Sequence, residues 1–458
     1  MPERYDLAIR GATVISDGAL PRDILIRDGR VAALVEPGAL NAGEELDAGG
    51  LYALPGVVDA HVHFNEPGRT AWEGWERGSR GAAAGGTTTV ADMPLNSVPP
   101  TADGASFDAK GAAAARSSLV DFALWGGLVS TAAGPLRELA DRGAVGVKGF
   151  LCDSGVPEFP HLAAAALPEA LAAAKAAGLL VALHCEDEAA VRDATAAVLR
   201  AGPRDLDAWA ASRPVEAERR AVAQACAAAQ TSGASLHVVH LSSAGPLDVV
   251  AAARSAGADV TVETCPHYLV FGDEDLARAG AALKCAPPVR SSLEREALWE
   301  ALLGGRIDLV ASDHSPCAPE LKDGPDLFSA WGGVSGVQSL LPAMLTAALQ
   351  RAAGTPDLAG VLGFIAWRLA AKPAQRLGLW PRKGRIAAGS DADIVLLDME
   401  RDWTLDPAAL QTRSGRSPYT GRSFRGLVRT TLVRGRIVYR DGEFPASPGH
   451  GQLVPRGA

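Results

Sequence analysis

The sequence predicts an α/β fold: a closed parallel (β/α)8 barrel of the TIM-barrel class, with a small β-sandwich domain assembled from both chain ends. Three observations carry this prediction. Eight short apolar, strand-like runs recur between residues 57 and 315, most of them separated by Ala-rich helical stretches, the alternation that a parallel barrel requires. Both ends of the chain are instead rich in strands and turns, with no long helical period. At 458 residues, the chain also exceeds what one hydrophobic core ordinarily organises, so a companion domain is expected.

Taken in order, the N-terminal runs are DLAIRG, DILIRDG and RVAALV, punctuated by Gly and Asp turn signals up to about Leu54. GRIAAGSDADIVLLD (384–398) and LVRTTLVRGRIVYRDG (427–442) repeat that style, so 1–56 and 381–458 are assigned to the small β domain and 57–380 to the barrel. The barrel strands are read at VVDAHVHF (57–64), TTTVADMP (87–94), DFALWGGLV (121–129), AVGVKGFLC (144–152), LLVALHCED (179–187), SLHVVHLSS (235–243), DVTVETCPHYL (259–269) and DLVASDHS (308–315).

Composition narrows the class of partner. A net charge of −9 argues against nucleic acid or an anionic membrane surface, both of which need a basic face, and favours a small neutral substrate. Charges within the first seven residues and the lack of an uninterrupted apolar span predict a cytoplasmic protein. Cys152, Cys185, Cys226, Cys265, Cys285 and Cys317 form no CxxC pair, so they read as reduced core or pocket thiols.

The chemistry sits at strand ends. His61 and His63 are two apart and share one face of the first strand, while Val58, Ala60, Val62 and Phe64 are expected on the opposite, helix-facing side. Such a pair either binds metal or satisfies a polar core. His184 shares a face with Ala182. His237 and His240 are opposite in parity; His240, nearer the C-terminal end of its strand, is assigned inward and His237 to packing behind the site. By the same test Asp313 aligns with Leu309 and Ala311 and points inward, as a ligand and general base or as a turn cap, leaving His314 outside. Lys148 is the odd member, because a charged amine inside a barrel beside cations is costly. It either pairs with a strand-end carboxylate, or loses its proton and reacts with carbon dioxide to give a carbamate whose two oxygens can bridge two metals.

HxH on strand one, Lys on strand four, single His on strands five and six and Asp on strand eight together resemble the cyclic amidohydrolases, comprising dihydroorotases, hydantoinases (dihydropyrimidinases) and allantoinases, over essentially the whole chain. HVHFNEPGRTAWEGW (61–75), ADMPLNSVPPT (91–101) and KGFLCDSGVPEFP (148–160) look most like the allantoinase branch. Asn65 stands where dihydroorotases carry an Arg that clamps a substrate carboxylate, and no Tyr follows Lys148 as it does in hydantoinases.

The resemblance implies two divalent cations, zinc by default with manganese, cobalt or iron as alternatives, bridged by carboxylated Lys148. His61 and His63 would hold one, His184 and His240 the other, and Asp313 would bind and relay the proton. It further implies a homotetramer that hydrolyses allantoin to allantoate, with substrate contacts drawn from Asn96, Asn65, Cys285, His267 and the WGGVSG loop (331–336). Asn96 reads equally as an Asx-turn residue. The competing readings are a hydantoinase-like or dihydroorotase-like enzyme and a non-catalytic barrel scaffold.

Overall fold

The computed structural model describes residues 5–16, 18–354 and 357–457. Five strands come first: β1 (Tyr5–Ile15), β2 (Ala19–Arg27), β3 (Arg30–Val35), β4 (Ala42–Asp47) and β5 (Tyr52–Pro55). Eight follow in the middle of the chain: β6 (Val57–Val62), β7 (Thr87–Asp92), β8 (Asp121–Gly127), β9 (Gly146–Phe150), β10 (Val181–His184), β11 (Leu236–Val238), β12 (Val260–Thr264) and β13 (Leu309–Val310). The last three are β14 (Ile394–Thr404), β15 (Ser423–Val433) and β16 (Arg436–Arg440).

Strands β6 to β13 pair in sequence order, each parallel to the next. The ring closes just beyond the short β13, where Val62 bridges His314 and the His63 amide donates to the His314 carbonyl at 2.7 Å. Helices such as Trp75–Ala84, Gly104–Ser117, Leu167–Ala176 and Val215–Ser232 occupy the crossovers and turn Ala-rich faces onto the outer side of the barrel. Inside, Val58, Ala60, Ala91, Met93, Ala123, Trp125, Ala182, Val239, Leu309 and Ala311 form a separate buried cluster that fills the barrel below the mouth.

The terminal strands join into one mixed sheet in the order β16-β15-β14-β5-β1-β2-β3, with β4 pairing β1. Ile9, Ile24, Leu46, Ala53, Leu396 and Leu432 bury its inner face. The two parts are tied by Lys383, which is wholly buried and reaches Asp121 on β8 at 2.5 Å as well as Asp391 and Asp393 at 2.9 and 2.7 Å.

Two expectations about strand regularity change. Val58 and Ala60 face the barrel interior, while Val62 and Phe64 pack with the helices, so the four do not share a face. The cause is a bulge in β6, where Asp59 to Val62 spans the same length as Val90 to Asp92 on β7. The run expected as a strand to Leu269 also stops at Thr264, because Pro266 opens a short helix, Pro266–Val270, at its first position.

Candidate metal centre and active-site cavity

All eight barrel strands run the same way, so their C-terminal ends share one mouth, and a cavity of about 700 Å³ opens there. His61, His63, Lys148, His184, His240 and Asp313 all line it, although they come from five different strand ends. Each is at least nine-tenths buried.

Two subsets are visible. His61 Nε2 and His63 Nε2 each lie 3.3 Å from Asp313 Oδ1, and the three donors fall within 4.8 Å of one another. On the other side, His184 Nδ1 faces His240 Nε2 at 3.1 Å. The His61 and His240 rings, centred 5.4 Å apart, join the two halves. Lys148 projects between buried walls with its Nζ 4.8 Å from the Phe150 ring centre and no protein hydrogen-bond partner. Burial lowers its amine from 10.5 to about 8, against the pull of Asp313 and Glu263. Asp313 is held well below the ordinary carboxylate range; burial alone would raise it, but His61 and His63 outweigh that. Burial lowers His63, His184 and His240, keeping their ring nitrogens free to act as ligands.

Backbone geometry explains how the later two of these side chains turn inward. β11 stops at Val238 and β13 at Val310, and both His240 (φ 39°) and Asp313 (φ 43°) sit in the left-handed region just past those ends. Strict strand parity therefore does not apply at His240. His237 also faces inward, one layer deeper, where its Nδ1 meets Thr261 Oγ1 at 2.8 Å and its Nε2 meets Glu263 at 3.3 Å. His314 is buried against Phe64 and bonds Glu73 at 3.2 Å, away from the mouth.

Residues not singled out in the sequence complete the site. Glu263 accepts from His61 Nδ1 at 2.8 Å and from the His240 amide at 3.2 Å, so one carboxylate steadies both halves. Its carboxyl falls from 4.5 to about 2, because His61 and His237 outweigh the effect of burial. Glu186 accepts from His184 Nε2 at 2.7 Å. Each had a legible signal: an acid inside an apolar strand in VET, and an acid two positions past a histidine in HCE.

The expected substrate contacts divide. Asn96 (φ 69°) lines the cavity with its buried Oδ1 unpartnered by protein, and Cys285 lines it with its carbonyl taken by Trp209 Nε1 at 2.7 Å. Asn65 and His267 do not line it. Asn65 turns its amide to the Pro316 carbonyl at 3.0 Å, and His267 is buried edge-on against Tyr268, its ring lowered by burial to about 4. Trp331, Gly332 and Gly333 close one side; a Cβ on Gly333 would meet the Ser315 carbonyl oxygen at 2.1 Å, which requires glycine there.

The donor set suits divalent cations: four imidazoles, three of them (His63, His184 and His240) with basicity lowered by burial, one ionised carboxylate, and an amine that burial drives toward neutrality. The amidohydrolase family model matches residues 52–438. The chain belongs to that family. Amidohydrolases similar to it include an allantoinase from Rubrobacter xylanophilus, 48% identical over 97% of this chain and 96% of the relative, and one from Deinococcus radiodurans, 45% identical over 98% and 99%. Among solved structures, L-hydantoinase (dihydropyrimidinase) from Arthrobacter aurescens superposes with a TM-score of 0.94 at 34% identity, covering 99% of this chain and 100% of that one.

Proposed function

We propose that this amidohydrolase is an allantoinase, opening the hydantoin ring of allantoin by hydrolysis to give allantoate. The full-length likeness to allantoinases at 48% and 45% identity supports the substrate. The facing pair His184 Nδ1 and His240 Nε2, set opposite the His61, His63 and Asp313 cluster, is the single observation that carries the chemistry.

In this reading His61, His63 and Asp313 hold one divalent cation and His184 and His240 a second, with zinc the first choice for so histidine-rich a set. Lys148, as the neutral amine, would add to carbon dioxide and release a proton, and the resulting carbamate would supply anionic oxygens to the centre. When bound, such a pair makes water acidic enough to attack near neutral pH and polarises the ring carbonyl. The chain's own groups do the rest. Asp313 accepts the proton released as water attacks the carbonyl carbon and delivers it to the departing ring nitrogen. Asn96 and the backbone around Cys285 and Gly333 orient the ureido-bearing ring.

The same reading makes the protein a cytoplasmic homotetramer acting in allantoin degradation. Six free, buried cysteines agree with a reducing compartment, and among the described residues no helix is long and apolar enough to cross a membrane. Purified protein should be assayed with allantoin, hydantoin, dihydrouracil and dihydroorotate. Preferential turnover of allantoin is the expected result; turnover confined to any of the other three overturns the substrate.

A further inference from the structure

We infer that Glu186, clamped by Arg213, is the positioning residue that makes His184 a ligand through Nδ1 and ties that half of the centre to the wall of the substrate cavity. This inference rests on the two-cation reading above.

The three side chains form a buried chain. Glu186 is fully buried, and its Oε2 accepts from His184 Nε2 at 2.7 Å and from Arg213 Nη2 at 2.6 Å. Arg213 Nε adds a second contact to the same carboxylate, at 3.0 Å to Oε1. A carboxylate paired in this way only accepts, so the ring proton of His184 stays on Nε2 and the Nδ1 lone pair is left facing His240 Nε2. A neutral amide in place of Glu186 could donate instead. The ring proton would then move to Nδ1 and point into the space between the two imidazoles, where it opposes any cation.

Cys152 Sγ, His184 and Glu186 also bring donors within 4.8 Å of one another, which by spacing alone reads as another cation site. Arg213 argues against it. Its guanidinium already neutralises Glu186 and donates to Cys152 Sγ at 3.5 Å, so the cluster's own cation fills the role. The carboxylate is available to orient His184 and to nothing else.

Arg213 extends the chain outward. Its guanidinium lies 5.3 Å from the Trp209 ring centre, and Trp209 lines the cavity, donates to the Cys285 carbonyl and carries the Lys284 ammonium 4.1 Å from its ring centre. The carbonyl of Arg213 is itself held by Arg290 Nη1. The Trp209 wall is thereby joined through two charged groups to the His184 ring.

The test is a Co2+ titration of metal-stripped, bicarbonate-supplemented protein by equilibrium dialysis, on wild type, Glu186→Gln, Glu186→Asp and Arg213→Lys. The wild type should take up two equivalents. Glu186→Gln should keep one at wild-type affinity, an internal proof of folding, and bind the other about 10–100-fold more weakly. Its kcat should return with excess Co2+ while KM stays put. Glu186→Asp and Arg213→Lys, which retain the charge pair, should fall between. Wild-type affinity for both equivalents in Glu186→Gln, or equal weakening of both in every variant, overturns the positioning role. A wild type that binds no Co2+ overturns the two-cation reading beneath it.

Discussion

Replacing Lys148 with methionine should make the metal-free protein more stable while abolishing its activity. Methionine keeps an unbranched stem in the same buried slot but carries no charge and cannot form a carbamate. Burial lowers the lysine amine from 10.5 to about 8, which corresponds to a cost of about 3 kcal/mol for holding the ammonium in the fold. Because the folded value lies below the ordinary one, that cost is present in full below about pH 8 and fades as pH rises to 10.5. Urea unfolding of chelator-treated protein at pH 7 should therefore show Lys148→Met more stable by up to about 3 kcal/mol, with the gain shrinking toward pH 10.5. Added Zn2+ and bicarbonate should reverse the order by stabilising only the wild type. Metal analysis should find little bound to the variant. A Lys148→Met protein that retains two equivalents and turnover, or whose metal-free form is the less stable at pH 7, would refute the reasoning.

Other perturbations probe separate parts of the molecule. Asp313→Asn should lower kcat on allantoin by about 10²–10⁴-fold, the usual worth of a positioned proton carrier, as measured under saturating metal and substrate. Gly333→Ala, whose new methyl would collide with the Ser315 carbonyl, should displace the 331–336 loop and raise KM; an unchanged KM would show that this loop does not touch substrate. Lys383→Met leaves Asp121, Asp391 and Asp393 facing one another without their shared cation. It should cost about 3–5 kcal/mol in denaturant unfolding, with Arg434 on Asp121 and Arg382 on Asp391 the remaining neutralising contacts.

Much of this architecture is legible in the chain because barrel strands are short apolar runs whose polar residues cluster at one end. VVDAHVHF and LLVALHCED display that directly, and the ligand candidates they nominate do line one cavity. Parity works for His184 because β10 is regular through that residue. It works less well at β6, where a bulge swaps faces after Ala60, and at His240, which turns inward through left-handed backbone beyond the last paired residue. Neither device leaves a mark in a pattern of apolar and polar letters. Glu186 and Glu263 are hard to single out for another reason: acidic residues read as solvated until a fold places histidines and arginine around them. The neighbourhood of Asn65 and His267 in the sequence points to the pocket, yet Asn65 has a positive φ of 63°, His267 lies on the helix that Pro266 opens, and neither lines the cavity.

The ring of strands is joined where it is thinnest. β13 has two residues, and beyond it the first and last strands meet through the Val62–His314 bridge, the His63 amide on the His314 carbonyl, the Ser312 hydroxyl on the His61 carbonyl and the Asp59 carboxylate on the Ser312 amide. His61 and His63 stand on one lip of that join and Asp313 on the other. A cation gripped by all three would work like a rivet through a cask's final seam. Such an ion would serve the chemistry and reinforce the seam at once, adding to the hydrogen bonds that already close it.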